Sequence, residues 1–60
     1  MMNSNEVMTK YGTVSMVYLE YAKVWEIIVF TDTKQIEIGR FKDEQKACQV
    51  FDVIIQNYNI

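Results

Sequence analysis

The fourteen residues from Val17 to Phe30, VYLEYAKVWEIIVF, contain no Gly, Pro, Asn, Asp, Ser or Thr, and only Glu20, Lys23 and Glu26 among them are charged. A chain of 60 residues has to hide most of such a stretch, and its chemistry limits how. The second half, VWEIIVF, is β-branched and aromatic, which suits a pleated, half-buried surface better than a helix. Val14 to Glu20 (VSMVYLE) reads as a preceding strand, and Tyr21-Ala22-Lys23 as a tight connection without the usual turn residues. Glu20, Lys23 and Glu26, at i, i+3 and i+6, would form a narrow polar stripe on a helix, which is the competing reading of residues 14–23.

The residues after Phe30 are more definite. Thr31 to Lys34 (TDTK) is a polar turn, and in KQIEIGRF the residues Ile36 and Ile38 face one way while Glu37 faces the other, with Gly39 and Phe41. Val24–Phe30 and Gln35–Phe41 are therefore expected to form a β-hairpin. Asp43 is a suitable helix N-cap, and Glu44 lies where the helix dipole favours a carboxylate. Ala47, Val50, Phe51, Ile54, Ile55 and Tyr58 then recur at i, i+3, i+4, i+7, i+8 and i+11, one face of an amphipathic helix. The expected fold is α+β, a three-stranded antiparallel sheet followed by one C-terminal amphipathic helix packed on one face. Residues 1–12, polar and without periodicity, are expected to be a flexible lead-in, and residues 13–60 a single small domain.

A domain this short buries only about 60% of the surface its unfolded chain exposes, so it needs support. Cys48 is the sole cysteine, which rules out an internal disulfide, and there is no His. One thiol with scattered carboxylates does not make a structural zinc site. No metal, cofactor or small-molecule substrate is expected, which leaves association as the remaining support. The net charge of −2 supplies no electrostatic footprint for nucleic acid or an anionic membrane. The N-terminal residues lack the basic and apolar regions of a secretory signal. No run reaches the roughly 18 apolar residues of a spanning helix. With one free Cys, the expected location is cytoplasmic, the host cytoplasm if the protein is phage-encoded.

No set of residues is arranged for catalysis. General acid–base work needs a positioned His or paired carboxylates, and Asp43 and Glu44 are accounted for as cap and dipole partners. Cys48 falls in the second helical turn with no basic partner fixed by spacing, and reads as a small buried hydrophobe rather than a nucleophile. Gly39 is isolated in a strand, which marks a bulge or a close approach. The protein is read as a non-enzyme.

Two kinds of surface stand out. Val24–Phe30 is apolar on both faces, with Glu26 as the one interruption, and a single helix covers only one face. Trp25, Ile27 and Val29 are expected on the uncovered face, beside Tyr18, with Val53 off the helix's main apolar arc. These five form the expected protein interface, since exposed apolar patches rich in aromatics mark interaction sites. The expected partner is a second copy, with a larger host protein as the other candidate. Lys34, Arg40, Lys42 and Lys46 form the alternative, a nucleic-acid surface, but Asp32, Glu37, Asp43 and Glu44 are interleaved with them. A structural subunit of a homo-oligomer is a further alternative.

The segment IEIGRFKDEQKACQVFDVI, with Gly39, Phe41, Asp43, Ala47, Phe51 and Asp52, resembles the last strand and helix of AP2-type and integrase-arm-type domains. Trp25-Glu26-Ile27 falls where such domains carry an aromatic central strand. The resemblance covers residues 24–58, and the same pattern is similar to that of small uncharacterised proteins of Gram-positive bacteria and their phages. It implies a three-stranded sheet followed by one C-terminal helix. It does not extend to DNA reading, because Ile27, Val29 and Glu37 stand where that family uses Arg- and Trp-rich strands. Size, acidity and lack of catalytic residues suit a phage or prophage accessory protein that inhibits or modulates a host protein, a defence protein among the candidates.

Overall fold

Four strands precede the helix where three are expected. A computed structural model describes residues 4–59, and in it the elements are β1 (Ser4–Met8), β2 (Thr13–Leu19), β3 (Val24–Phe30), β4 (Gln35–Phe41) and α1 (Glu44–Tyr58). The strands lie in the order β1-β2-β3-β4, and each pair of neighbours is antiparallel. The α+β class stands, and the three-stranded sheet is corrected to four. Ser4–Met8, expected within a flexible lead-in, is an edge strand. Residues 1–3 of that lead-in and residue 60 of the expected domain lie outside the described residues. Residues 14–23 are strand and turn, not helix.

Each hairpin closes by a local device. At the β1–β2 and β3–β4 turns a threonine plays the same part. The Thr9 N–H donates to the Gly12 carbonyl at 2.7 Å, and the Gly12 N–H donates to the Thr9 hydroxyl at 3.1 Å. Thr31 and Lys34 repeat this at 2.9 and 3.2 Å. A Cβ on Gly12 would lie 2.9 Å from the Phe30 carbonyl oxygen, so that turn needs its glycine. The β2–β3 turn has no glycine. The Ala22 and Lys23 N–H groups both donate to the Leu19 carbonyl, at 3.2 and 2.7 Å, and Lys23 takes the left-handed conformation at φ 55°. That conformation costs a non-glycine residue roughly 1 kcal/mol.

Cross-strand partners share a sheet face, so the register defines both faces. Asn5, Met16 and Ile27 lie in one row, Val7, Val14, Val29 and Ile36 in the next, and Tyr18, Trp25 and Phe41 in a third. This is the face α1 covers, lying over β2, β3 and β4. Its core is Val14, Met16, Ile27 and Val29 from the sheet with Ala47 and Phe51 from the helix. Full burial of a Val, Ile, Met or Phe side chain stabilises by about 1.5–3 kcal/mol. Val7, Trp25, Ile36, Ile38, Phe41, Cys48, Val50, Ile54, Ile55 and Tyr58 pack around it, partly buried.

A bulge in β4 settles the parity of that strand. Gly39 pairs with Ile27 and Glu37 with Ile28, so Ile38 is the extra residue. Simple alternation puts Phe41 on the face of Glu37. The bulge reverses this, carrying Phe41 to the helix side opposite Trp25 and Arg40 to the other side opposite Glu26. Gly39 also leaves room for the Phe41 ring, which a Cβ there would meet at 3.3 Å.

The helix begins as its cap and period dictate. Asp43 is extended (φ −95°, ψ 120°) and its carboxylate accepts the Gln45 N–H at 3.1 Å. No basic residue stands in the last turn. There the β1–β2 turn takes over. The Tyr11 N–H donates to the Tyr58 carbonyl at 3.1 Å, and the Lys10 N–H donates to the Asn59 side-chain oxygen at 3.0 Å. The first hairpin is thereby tied to the far end of the chain.

Candidate protein-interaction surface

The second sheet face has no helix over it among the described residues. It consists of four rows across the strands. Leu19 and Val24 make the first row, and Ser4, Val17, Glu26 and Arg40 the second. Glu6, Ser15, Ile28 and Glu37 make the third, and Met8, Thr13, Phe30 and Gln35 the fourth. An apolar strip therefore runs obliquely along β2 and β3 through Leu19, Val24, Val17, Ile28 and Phe30. Polar side chains of the two outer strands flank it. Within the strip Phe30 is 39% exposed and the other residues are half-buried, and Met8 on the neighbouring β1 is 86% exposed.

Inside this strip lies the sole ion pair among the described residues. The Arg40 Nε donates to the Glu26 Oε2 at 3.0 Å, with the Glu26 side chain only 12% exposed and that of Arg40 50% exposed. The pair spans two adjacent strands at directly opposed positions. Glu37 stands beside it on β4. Desolvation, and then the hydrogen-bonding and charged contact with Glu26, raise the Glu37 carboxyl above its ordinary range, against the pull of Arg40. The hydrogen bond to Glu26 raises the Arg40 guanidinium in turn, so it stays charged throughout the accessible pH range. The guanidinium thus holds Glu26 through Nε, while Glu37 feels its charge without bonding to it.

The expected interface residues are divided by this geometry. Ile27 and Val29 are 0% exposed beneath α1, so they belong to the core and not to an open face. Tyr18 and Trp25 are on the helix side as well, partly buried, with ring centroids 4.9 Å apart and planes tilted by 53°. Val53 is 54% exposed on the outer side of α1, away from both sheet faces. The uncovered apolar residues are those of opposite parity, Val17, Leu19, Val24, Ile28 and Phe30. The signal for this lay in the sequence. Glu26 is the only charged residue of β3, and it shares parity with Val24, Ile28 and Phe30.

The basic residues are not gathered. Arg40 is bound to Glu26, while Lys34 is in the β3–β4 turn at the other end of β4, about 20 Å away at 3.3 Å per residue. Lys42 and Lys46 flank the acidic helix start formed by Asp43 and Glu44. Cys48 is partly buried against the core. No group of three or more His, Cys, Asp or Glu among the described residues is placed to hold a metal ion. No helix among them is long and apolar enough to cross a membrane. Comparison with protein-family models, with curated proteins and with solved structures finds no match to the chain.

Proposed function

We propose that this protein is a non-catalytic interaction module that works through its uncovered sheet face, and that the first occupant of that face is a second copy of the chain. The observation that carries the reading is the apolar strip of Val17, Leu19, Val24, Ile28 and Phe30 on the side away from α1. Two physical arguments favour self-association. The core is small, with six buried apolar residues among those described, and a second layer on the other side of β3 would bury that strand on both faces. The area also fits. A standard interface takes about 800 Å² from each partner, roughly a fifth of the 4422 Å² surface.

Size-exclusion chromatography of Phe30→Asp and Ile28→Asp beside the parent chain tests the reading. Both positions lie outside the core, so the helix signal persists, and elution shifts from two protomers to one. A parent chain that elutes as one protomer at every concentration removes the proposal, as do variants that remain paired.

A further inference from the structure

Resting on that reading, we infer that the two copies stack face to face about a two-fold axis that lies between the sheets and runs across the strands, so that Arg40 of each copy pairs with Glu37 of the other. The row pattern selects this axis. Placed between the second and third rows, it exchanges the first row with the fourth and the second with the third, and it lays β4 on β4 with the strands antiparallel. Arg40 then faces the partner's Glu37, Glu26 faces the partner's Ile28, and Glu6 faces the partner's Ser4. No carboxylate meets a carboxylate. Bulk is matched as well. Phe30 lies on the partner's Val24, Val17 on the partner's Ser15, and Leu19 on the partner's Thr13. The stacked strands stay aligned, as face-to-face sheets do to within about 30°.

The competing two-fold, parallel to the strands, lays β4 on β1. It sets Glu37 against the partner's Glu6 and Arg40 against the partner's Ser4, which brings like charges together and leaves the cation without a new acceptor. Like charges facing each other across an interface are strongly disfavoured. The guanidinium is suited to the first arrangement. It holds Glu26 through Nε, and its two terminal nitrogens make no hydrogen bond among the described residues, so they can meet a carboxylate from outside. Glu37, on the same strand, forms no salt bridge among the described residues.

The test is a complementation experiment by analytical ultracentrifugation across a dilution series. Samples are the parent chain, Glu37→Arg alone, Arg40→Glu alone, and an equimolar mixture of the two variants. Each single variant puts like charges at both reciprocal contacts, so its dimer dissociation constant rises by at least about tenfold. In the mixture one chain carries two cations and the other two anions, so both contacts are restored in a heterodimer of parent-like affinity. Circular dichroism of each sample confirms the helix. The neutral Glu37→Gln gives a second reading should a reversed charge disturb the fold, and it weakens pairing without abolishing it. A dimeric parent whose single variants pair unchanged, or whose mixture fails to recover, overturns the reciprocal pairing while leaving the interaction face in place. A parent that sediments as one protomer throughout overturns both.

Discussion

Ile27 and Ile28 are neighbours on β3 with opposite fates, and truncating each in turn measures the assignment of the two faces. Ile27 is 0% exposed, between Met16 on β2 and Gly39 on β4 and beneath α1. Ile27→Ala removes three carbons, about 2.4 kcal/mol at 0.8 kcal/mol per buried methylene. The cavity left behind brings the total to about 3–4 kcal/mol, within the usual span for such truncations. A domain of this size has a total stability of about 3–9 kcal/mol, so the variant is close to unfolding. Ile28 is on the other face, and at high dilution Ile28→Ala costs about 1 kcal/mol. Urea unfolding followed by helix ellipticity reads both. With a slope near 1 kcal/mol/M for a small domain, Ile27→Ala lowers the midpoint by about 3 M. Concentration separates the positions further. The Ile27→Ala penalty is the same at every protein concentration, whereas that of Ile28→Ala grows as the parent chain pairs. Equal penalties at high dilution, or an Ile27→Ala penalty below about 1 kcal/mol, would refute the assignment of the faces.

Lys23→Gly should raise stability by about 0.5–1 kcal/mol, because glycine adopts φ 55° without the strain of a Cβ; thermal unfolding at one fixed concentration measures this, and a loss of stability would mean that Lys23 does more than shape the turn. Asp43→Ala should cost about 1 kcal/mol, since it removes the acceptor for the Gln45 N–H at the start of α1; an unchanged urea midpoint would remove the capping role. The Glu37 carboxyl should titrate above its ordinary range in dilute solution, through desolvation and its contact with Glu26. Its raised value fixes the sign: the stability it contributes is full below the ordinary carboxyl range and is lost as pH rises through the raised pKa. Carbon-detected NMR tracks the midpoint, which should fall on concentration as the partner's Arg40 arrives, and a midpoint that ignores concentration would contradict the reciprocal contact.

Much of the architecture was legible, for physical reasons that differ by element. The helix announced itself twice, by the 3.6-residue recurrence from Ala47 to Tyr58 and by Asp43. The β3–β4 hairpin was legible because TDTK is a polar turn between two apolar runs. β1 was not legible, because an edge strand that turns only Val7 and Asn5 toward the helix side carries almost no alternation. The inverted face assignment came from β3 itself. A strand apolar on both sides gives no direction, and the decision rests on neighbours. Val14, Met16, Ile36 and Phe41 oppose one side of it, and Ser15, Glu37 and Arg40 the other. Even then Phe41 could not be placed without the bulge at Ile38, which no local residue preference specifies beyond the adjacent Gly39.

The most direct test of the uncovered face as a self-association surface is an isotope-filtered nuclear Overhauser experiment on a mixture of labelled and unlabelled chain. Contacts are predicted between the Phe30 ring and the Val24 methyls of different copies, with weaker ones to Ile28. Contacts confined to the outer side of α1 around Val53, or none between copies at millimolar concentration, would contradict the account.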